Sequence, residues 1–359
     1  MNELEKLRQK IDQIDEEILK LLNERGKIAI EVGNKKKDKN LAYHFPERER
    51  ELVERLYSLN QGPLTNKSIT SIYREILSAS LSLQKSHSVS YLGPQATYTH
   101  EAAVQFFGSS LDLIQEDTIS GVFESVFQNK ARYGVVPIEN SNEGIVNYTL
   151  DMFIDFDLSI YSEIMLSISH CLLSLTEKKE NIQKIYSHPQ AIGQCRHFLE
   201  KHLPGIPFIE TLSTARAAEL ASKEKGAAAI AGEIAADVYK LQIVEKKIED
   251  KIDNYTRFLV ISRDHPYRSG KDKTSILFSI KDKVGALYAV LEHFDKQNIN
   301  LTNIQSRPSK KRPWEYIFFI DFQGHIEDKP IQTAIEKIKT GCLFFKVLGS
   351  YPSANMILT

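Results

Sequence analysis

The chain has 359 residues, 42% of them hydrophobic and 26% charged, with a formal net charge of -1. That is enough for two or three domains with real cores, and it gives neither a basic footprint for nucleic acid nor a field for anionic membranes. The N-terminus is a charged helical pattern rather than an apolar leader, no run approaches a membrane span, and Cys171, Cys195 and Cys342 stand far apart. A cytoplasmic protein that handles small molecules is expected.

In residues 1–87, Leu4, Leu7, Ile11, Ile14, Ile18, Leu21, Ile28 and Val32 recur at alternating three and four spacings. The pattern predicts one long helix with a coiled-coil-like seam, ending near Lys36 before a polar run. Arg25 occupies the missing seam position. A guanidinium buried there without a partner would cost several kcal/mol, so either a structural carboxylate or an anionic ligand must meet it. Lys36 lies about 20° round the helix and roughly 16 Å along it from Arg25, so both can lean toward one small dianion. Arg8 is roughly 26 Å from Arg25 on another face, and can join them only from an antiparallel partner chain. If all three bind one ligand, a homodimer is expected. Pro46 opens a second helix to about Leu59, carrying Arg48 and Glu49. After Gly62-Pro63, Ile69, Ile72, Ile76, Ala79 and Leu83 mark a third, with Ser80 and Gln84 one turn apart beside its seam.

The set Arg8, Arg25, Lys36, Arg48, Glu49, Ser80 and Gln84 resembles the all-helical chorismate mutase module of bifunctional phenylalanine-pathway enzymes. The resemblance implies rearrangement of chorismate to prephenate without a covalent intermediate. Arg25 and a partner's Arg8 would clamp the two carboxylates, while Lys36 and Gln84 donate to the ether oxygen as charge develops. The family usually has Asp where Phe45 stands, next to His44.

From residue 88 to about 267 the period changes. Apolar runs at 89–92, 133–138, 167–173, 185–186, 227–231 and 258–261 alternate with helical stretches, which predicts a mainly parallel α/β sheet. Small or polar residues follow several runs, and in open α/β sheets ligands sit beyond the carboxyl ends of strands. Each ending also has a plain reading: Gly93-Pro94 as a turn, Glu139-Asn140 as a cap or loop, and His188 before Pro189 as a capped turn. Thr256 and Arg257 stand at the mouth of the last run, where the arginine needs a nearby acid or an anionic ligand. Read whole, YLGPQATYTH (91–100), VVPIENSNEG (135–144), SHPQAIGQC (187–195) and DNYTRF (253–258) resemble prephenate dehydratase, as do HCLL (170–173) and STARAA (213–218).

That resemblance implies two α/β lobes like those of periplasmic binding proteins, and decarboxylative dehydration of prephenate to phenylpyruvate. Thr256 would donate to the departing ring hydroxyl once its neighbours polarise it, and Arg257 would hold a substrate carboxylate as a fork. Glu139, Asn140, Ser141, Ser187, His188 and Gln194 would line the cleft, with Phe258 as apolar wall. No glycine-rich phosphate loop or metal-ligand spacing occurs, so neither cofactor nor metal is expected.

A polar stretch, 266–273, reads as a linker. Strand 274–280, helix 285–297, strands 300–305 and 316–322, helix 330–339 and strand 344–349 then follow the βαββαβ order of a ferredoxin-like module, 272–359. Gly285, Ala286 and Leu287 lie at a helix start, where backbone N–H groups can hold a carboxylate. With Gln305, Ser306, Arg307, Pro308 and Trp314 they resemble the phenylalanine-binding ACT domain, although the family usually has Glu at the position of Gln305. The whole then resembles a bifunctional chorismate mutase/prephenate dehydratase under feedback by L-phenylalanine. Two rivals stand beside it: use of arogenate in place of prephenate, and a non-catalytic phenylalanine sensor.

Overall fold

The computed structural model describes residues 2–38, 46–84, 88–251, 253–281, 283–308 and 316–354. Phe45, His44 and Trp314 lie outside the described residues. The chain divides into two compact units, residues 1–88 with 107–112, and 89–106 with 113 onward.

The first unit is helical. The long seam forms α1 (Glu3–Asp38), the proline-led segment α2 (Pro46–Leu59), and the third periodic segment α3 (Asn66–Gln84). Gly33 is what lets α1 and α3 close: a Cβ there would lie 2.9 Å from the Gln84 Cβ. Along the first part of α1 the seam stays open, with Leu4, Leu7, Ile11, Ile14, Ile18 and Leu21 each 48–57% exposed.

The second unit holds three sheets. The first contains β1 (Ser88–Leu92), β2 (Asp112–Glu116), β3 (Tyr133–Asn140), β4 (Gly144–Ile145) and β5 (Ser159–Ser167). The second contains β6 (Cys171–Ser174), β7 (Lys184–Ser187), β8 (Phe208–Glu210), β9 (Ala227–Ala231) and β10 (Gln242–Glu245). The chain then returns to the first sheet as β11 (Tyr255–Ser262), giving the order β2-β1-β3-β11-β5, while the second sheet runs β10-β6-β9-β7-β8. The third comprises β12 (Asp272–Ile280), β13 (Leu301–Pro308), β14 (Tyr316–Gln323) and β15 (Cys342–Pro352), ordered β13-β14-β12-β15. With helices Ala286–Lys296 and Lys329–Gly341 it is the expected βαββαβ module.

Two expectations change. The sheets are mixed rather than mainly parallel: β1–β3, β7–β8 and β7–β9 are parallel, but β11 runs antiparallel to both β3 and β5. The run 167–173 is not one strand. It breaks between β5 and β6, where Glu249 captures the His170 N–H and the Ser169 hydroxyl. The C-terminal module packs directly on the first sheet. Leu277, Ile317, Phe319, Leu348 and Tyr351 share one core with Val136, Ile138, Leu259 and Ile261. Gly349, at φ +150°, permits this approach, since a Cβ there would lie 2.5 Å from the Ile160 carbonyl oxygen on β5.

Candidate active sites

In the helical unit, Arg25 is half-buried and donates from Nη1 to the Ser80 hydroxyl, which itself donates to the Ile76 carbonyl at 2.6 Å. No carboxylate takes the Arg25 fork among the described contacts, so the structural Arg–Glu pairing does not arise. Lys36 Nζ donates to Gln84 Oε1 at 3.4 Å. Burial pushes the Lys36 ammonium down, against the opposing effect of Glu49. Arg25, Lys36, Glu49, Ser80 and Gln84 therefore gather where α1 meets its neighbours. Arg48 is exposed and pairs with Glu51 at 3.2 Å. Arg8 stands exposed on the distant first part of α1.

The second site forms where β11 crosses β3. Because these strands are antiparallel, the start of β11 meets the end of β3, and Thr256 pairs with Asn140 while Arg257 pairs with Glu139. Successive strand residues face opposite sides. Thr256 and Asn140 thus share one face, and Arg257 and Glu139 the other.

On the Thr256 face a polar chain, buried at Thr256, Asn254 and His170, links the first sheet to the second. Asn140 Oδ1 is held by the backbone N–H groups of Asn142 and Glu143, at 2.9 and 3.1 Å. That fixes the amide, leaving Nδ2 to donate to Thr256 Oγ at 2.8 Å and to Asn254 Oδ1 at 2.9 Å. Asn254 Nδ2 donates to Gln194 Oε1 at 3.3 Å, which also receives His170 Nε2–H at 2.7 Å. His170 Nδ1 then lies 2.8 Å from the Tyr98 hydroxyl. Burial pushes the His170 pKa down despite the opposing effects of Gln194 and Glu249. Thr256 is 9% exposed. It accepts a hydrogen from Asn140, and its own finds no protein acceptor among the described residues. A hydroxyl so placed is a better donor to a ligand, because the accepted bond stabilises charge left on its oxygen.

The other candidates separate. Ser141 ties the cleft edge, accepting Tyr255 N–H at 3.0 Å and donating to the Asp253 carbonyl at 3.3 Å. Ser187 is fully buried and donates to the His188 carbonyl at 3.2 Å. His188 caps helix Pro189–Gln194, its Nδ1 accepting the Gln190 N–H at 3.3 Å. Phe258 is buried. Arg257 does not grip a carboxylate in the cleft: strand alternation turns it away, and its fork is filled by Glu163 Oε2 at 2.7 Å and Asp321 Oδ2 at 2.6 Å. Glu139 shares that rear face, lining a cavity of about 290 Å³ between the first and third sheets. Tyr98, His170 and Asn254 had not been singled out, although all three fall inside strings quoted for the resemblance. Glu249 had no signal.

The prephenate dehydratase family model matches residues 89–266, that of type II chorismate mutase residues 7–85, and that of the ACT domain residues 274–340. A bifunctional chorismate mutase/prephenate dehydratase of Aquifex aeolicus is 51% identical over 358 residues, covering 99% of each chain. This chain belongs to that family. Among solved structures, a prephenate dehydratase from Arthrobacter aurescens in complex with L-Phe is 31% identical with a TM-score of 0.69, covering 76% of this chain and 92% of that one. A protein described as a quorum-quenching acylase matches at 25% identity with the same TM-score of 0.69, covering 75% of this chain and 98% of that one. The helical unit is thus the chorismate mutase module, the first two sheets the dehydratase module, and the third sheet the ACT domain.

In the ACT domain, Gly285 takes φ +80° at the start of helix Ala286–Lys296, with Leu287 packed on its core. Val284 and Tyr288 beside it are 104% and 70% exposed. Gln305 donates to Asn303 in its own strand at 3.3 Å, while Ser306 and Pro308 are exposed on β13. Arg307 instead reaches the dehydratase helix Asn147–Asp155, bonding Asp151 Oδ2 at 2.8 Å and the Asn147 carbonyl. Among the described residues no helix is long and apolar enough to cross a membrane, and Cys171, Cys195 and Cys342 are free thiols.

Proposed function

We propose that the chain converts chorismate to prephenate in its helical unit and prephenate to phenylpyruvate at Thr256, as a cytoplasmic homodimer inhibited by L-phenylalanine. The dehydratase reading is carried by one observation, the Asn140 Nδ2···Thr256 Oγ contact of 2.8 Å that leaves the threonine hydrogen available. In the reaction the ring carboxylate leaves as carbon dioxide, its bonding electrons aromatise the ring, and the ring hydroxyl departs as water after gaining a proton. Thr256 hydrogen-bonds that hydroxyl as charge builds on it, with Asn140 stabilising the threonine oxygen. Asn254, Gln194 and His170 hold Asn140 in place, and Ser141, Ser187 and His188 shape the cleft.

In the mutase, Arg25 and Ser80 bind one end of chorismate, Lys36 and Gln84 donate to the ether oxygen, and Glu49 and Arg48 flank the pocket. The second clamp, Arg8, comes from a second copy. The open seam of α1 supports this, since six apolar side chains at helical spacing need a partner face. For the effector, the Gly285–Leu287 helix start offers backbone donors to a carboxylate, and exposed Val284 and Tyr288 offer apolar surface. The L-Phe bound to the Arthrobacter dehydratase supports the identity of the ligand.

Purified protein incubated with chorismate, with and without L-phenylalanine, tests the scheme. Phenylpyruvate formation that phenylalanine suppresses is the expected result. Accumulated prephenate, or turnover of arogenate in its place, would overturn the dehydratase reading. Untouched chorismate would overturn the mutase reading.

A further inference from the structure

The strand that presents Thr256 to the cleft presents Arg257 to the ACT domain. Arg257 is 7% exposed, and all parts of its fork are engaged: Nε with Glu163 at 2.7 Å, Nη1 with Asp321 at 2.6 Å, and Nη2 with the Tyr351 hydroxyl at 3.0 Å. Glu163, on the adjoining β5, also receives Lys273 Nζ at 2.8 and 2.9 Å and the Ala354 N–H at 2.9 Å. Ser275 completes the group, donating to Asp321 with its oxygen 2.6 Å from the Tyr351 hydroxyl. Of these partners only Glu163 belongs to the dehydratase module. Asp321, Tyr351, Lys273 and Ser275 come from β14, β15 and β12.

Two features make this more than an interface contact. Arg257 and Thr256 are consecutive in one strand, so a shift that re-seats the guanidinium moves the neighbouring hydroxyl relative to Asn140. The rear side is also linked to the effector motif, for Asp321 pairs in register with Asn303 on β13, two residues before Gln305. Asn303, Asp321, Glu139 and Arg257 all line the cavity of about 290 Å³. The joint therefore has room to rearrange on that side.

We propose that Asp321, with Tyr351, is a positioning residue for prephenate dehydration. The ACT sheet holds Arg257, Arg257 holds the start of β11, and Thr256 is thereby kept against Asn140. A change in the β13–β14 pair on effector binding would reach the catalytic hydroxyl by this route. The regulatory half of the inference rests on the effector reading above, whereas the positioning half does not.

The test is Asp321→Asn in the full-length chain, which keeps the side-chain shape and removes its charge. Dehydratase kcat should fall about tenfold or more with KM changed less than about threefold. The mutase rate should stay within about twofold, and the half-inhibiting phenylalanine concentration should move about fivefold or more. Parental values of kcat, KM and phenylalanine response would overturn the proposal. So would a fall in activity that merely tracks the folded fraction, with parental kcat per folded chain. Should Asp321→Asn fail to fold, Tyr351→Phe removes one hydroxyl and keeps the ring in the core. It should lower kcat about threefold, and an unchanged kcat would overturn the proposal. A parent chain inactive on prephenate would instead overturn the function itself, and a parent insensitive to phenylalanine only the effector reading.

Discussion

The two catalytic units of this chain are finished to different degrees. In the mutase unit, the seam residues Leu4 through Leu21 remain 48–57% exposed, whereas in the dehydratase module Val135, Val136, Ile138, Leu259, Val260 and Ile261 are 0–2% exposed. The same contrast holds for the sites. Arg8 stands roughly 26 Å along α1 from Arg25, while Thr256, Asn140, Asn254, Gln194 and His170 form one continuous hydrogen-bonded chain. A lone three-helix unit has too little surface to bury a 36-residue helix. The difference teaches that the dehydratase site is completed by packing within the chain, whereas the mutase seam leaves an apolar face for the second copy proposed above.

The largest effect should come from breaking the proposed shared site. Arg8→Ala and Lys36→Ala should each lower mutase kcat/KM by about a thousandfold, since each removes a cation that faces developing or fixed negative charge. Mixed after subunit exchange, the two should regain up to about a quarter of parental activity, because one site of a mixed dimer carries neither change. No recovery, with exchange verified by mass, would mean that Arg8 serves its own chain or none.

The dehydratase should respond in the opposite way to mixing. Thr256→Val keeps the volume and deletes the hydroxyl, so dehydratase kcat should fall about 100-fold with the mutase unchanged. Mixing it with an Asn140→Ala chain should give no more dehydration than the two chains give apart, because Thr256 and Asn140 meet within one chain. Recovery beyond that would place part of this site on a second chain, and the contrast between the units would collapse.

Gly349→Ala probes the packing that completes the dehydratase side. The new methyl would meet the Ile160 carbonyl oxygen at 2.5 Å in a backbone conformation that disfavours side chains. A loss of about 2–4 kcal/mol is expected, read as a lower denaturation midpoint. An unchanged midpoint would show that β15 and β5 are not held at this separation.

Much of this was legible in the sequence, and the failures share a cause. The helices of the mutase unit follow from local periodicity, and α2 begins at Pro46 and ends at Leu59 as predicted. The ferredoxin-like order of the ACT domain was equally local. Strand β5 was missed because Glu163 interrupts its apolar run, and a buried carboxylate makes sense only beside Arg257 and Lys273. Burial pushes that carboxyl up, but the two cations outweigh it and hold it below the usual range. The grouping of Thr256 with Arg257 was the opposite error. Strand alternation alone separates them, and only the direction of β11 decides which of the two faces Asn140. His170 and Asn254 lie in strings that carried the resemblance, but a hydrogen-bond chain across two sheets has no sequence spacing to reveal it.

The smallest effect concerns a carboxyl that the reaction does not need. Burial, with Glu233 adding to it, pushes Glu101 up to about 7 on helix Tyr98–Phe107. Its folded-state pKa is raised, so the folded chain binds more protons than the unfolded chain between the ordinary glutamate range and about 7. Stability should therefore fall as pH rises through that window and level off above it, by on the order of 1–3 kcal/mol. Glu101→Gln should flatten this slope and raise the unfolding temperature at pH 8 while leaving that at pH 5 nearly unchanged. An equal shift at both pH values would mean that Glu101 is ionised throughout. In that case the contact with Gly232 and Tyr98 would have to be more open to water than their packing implies.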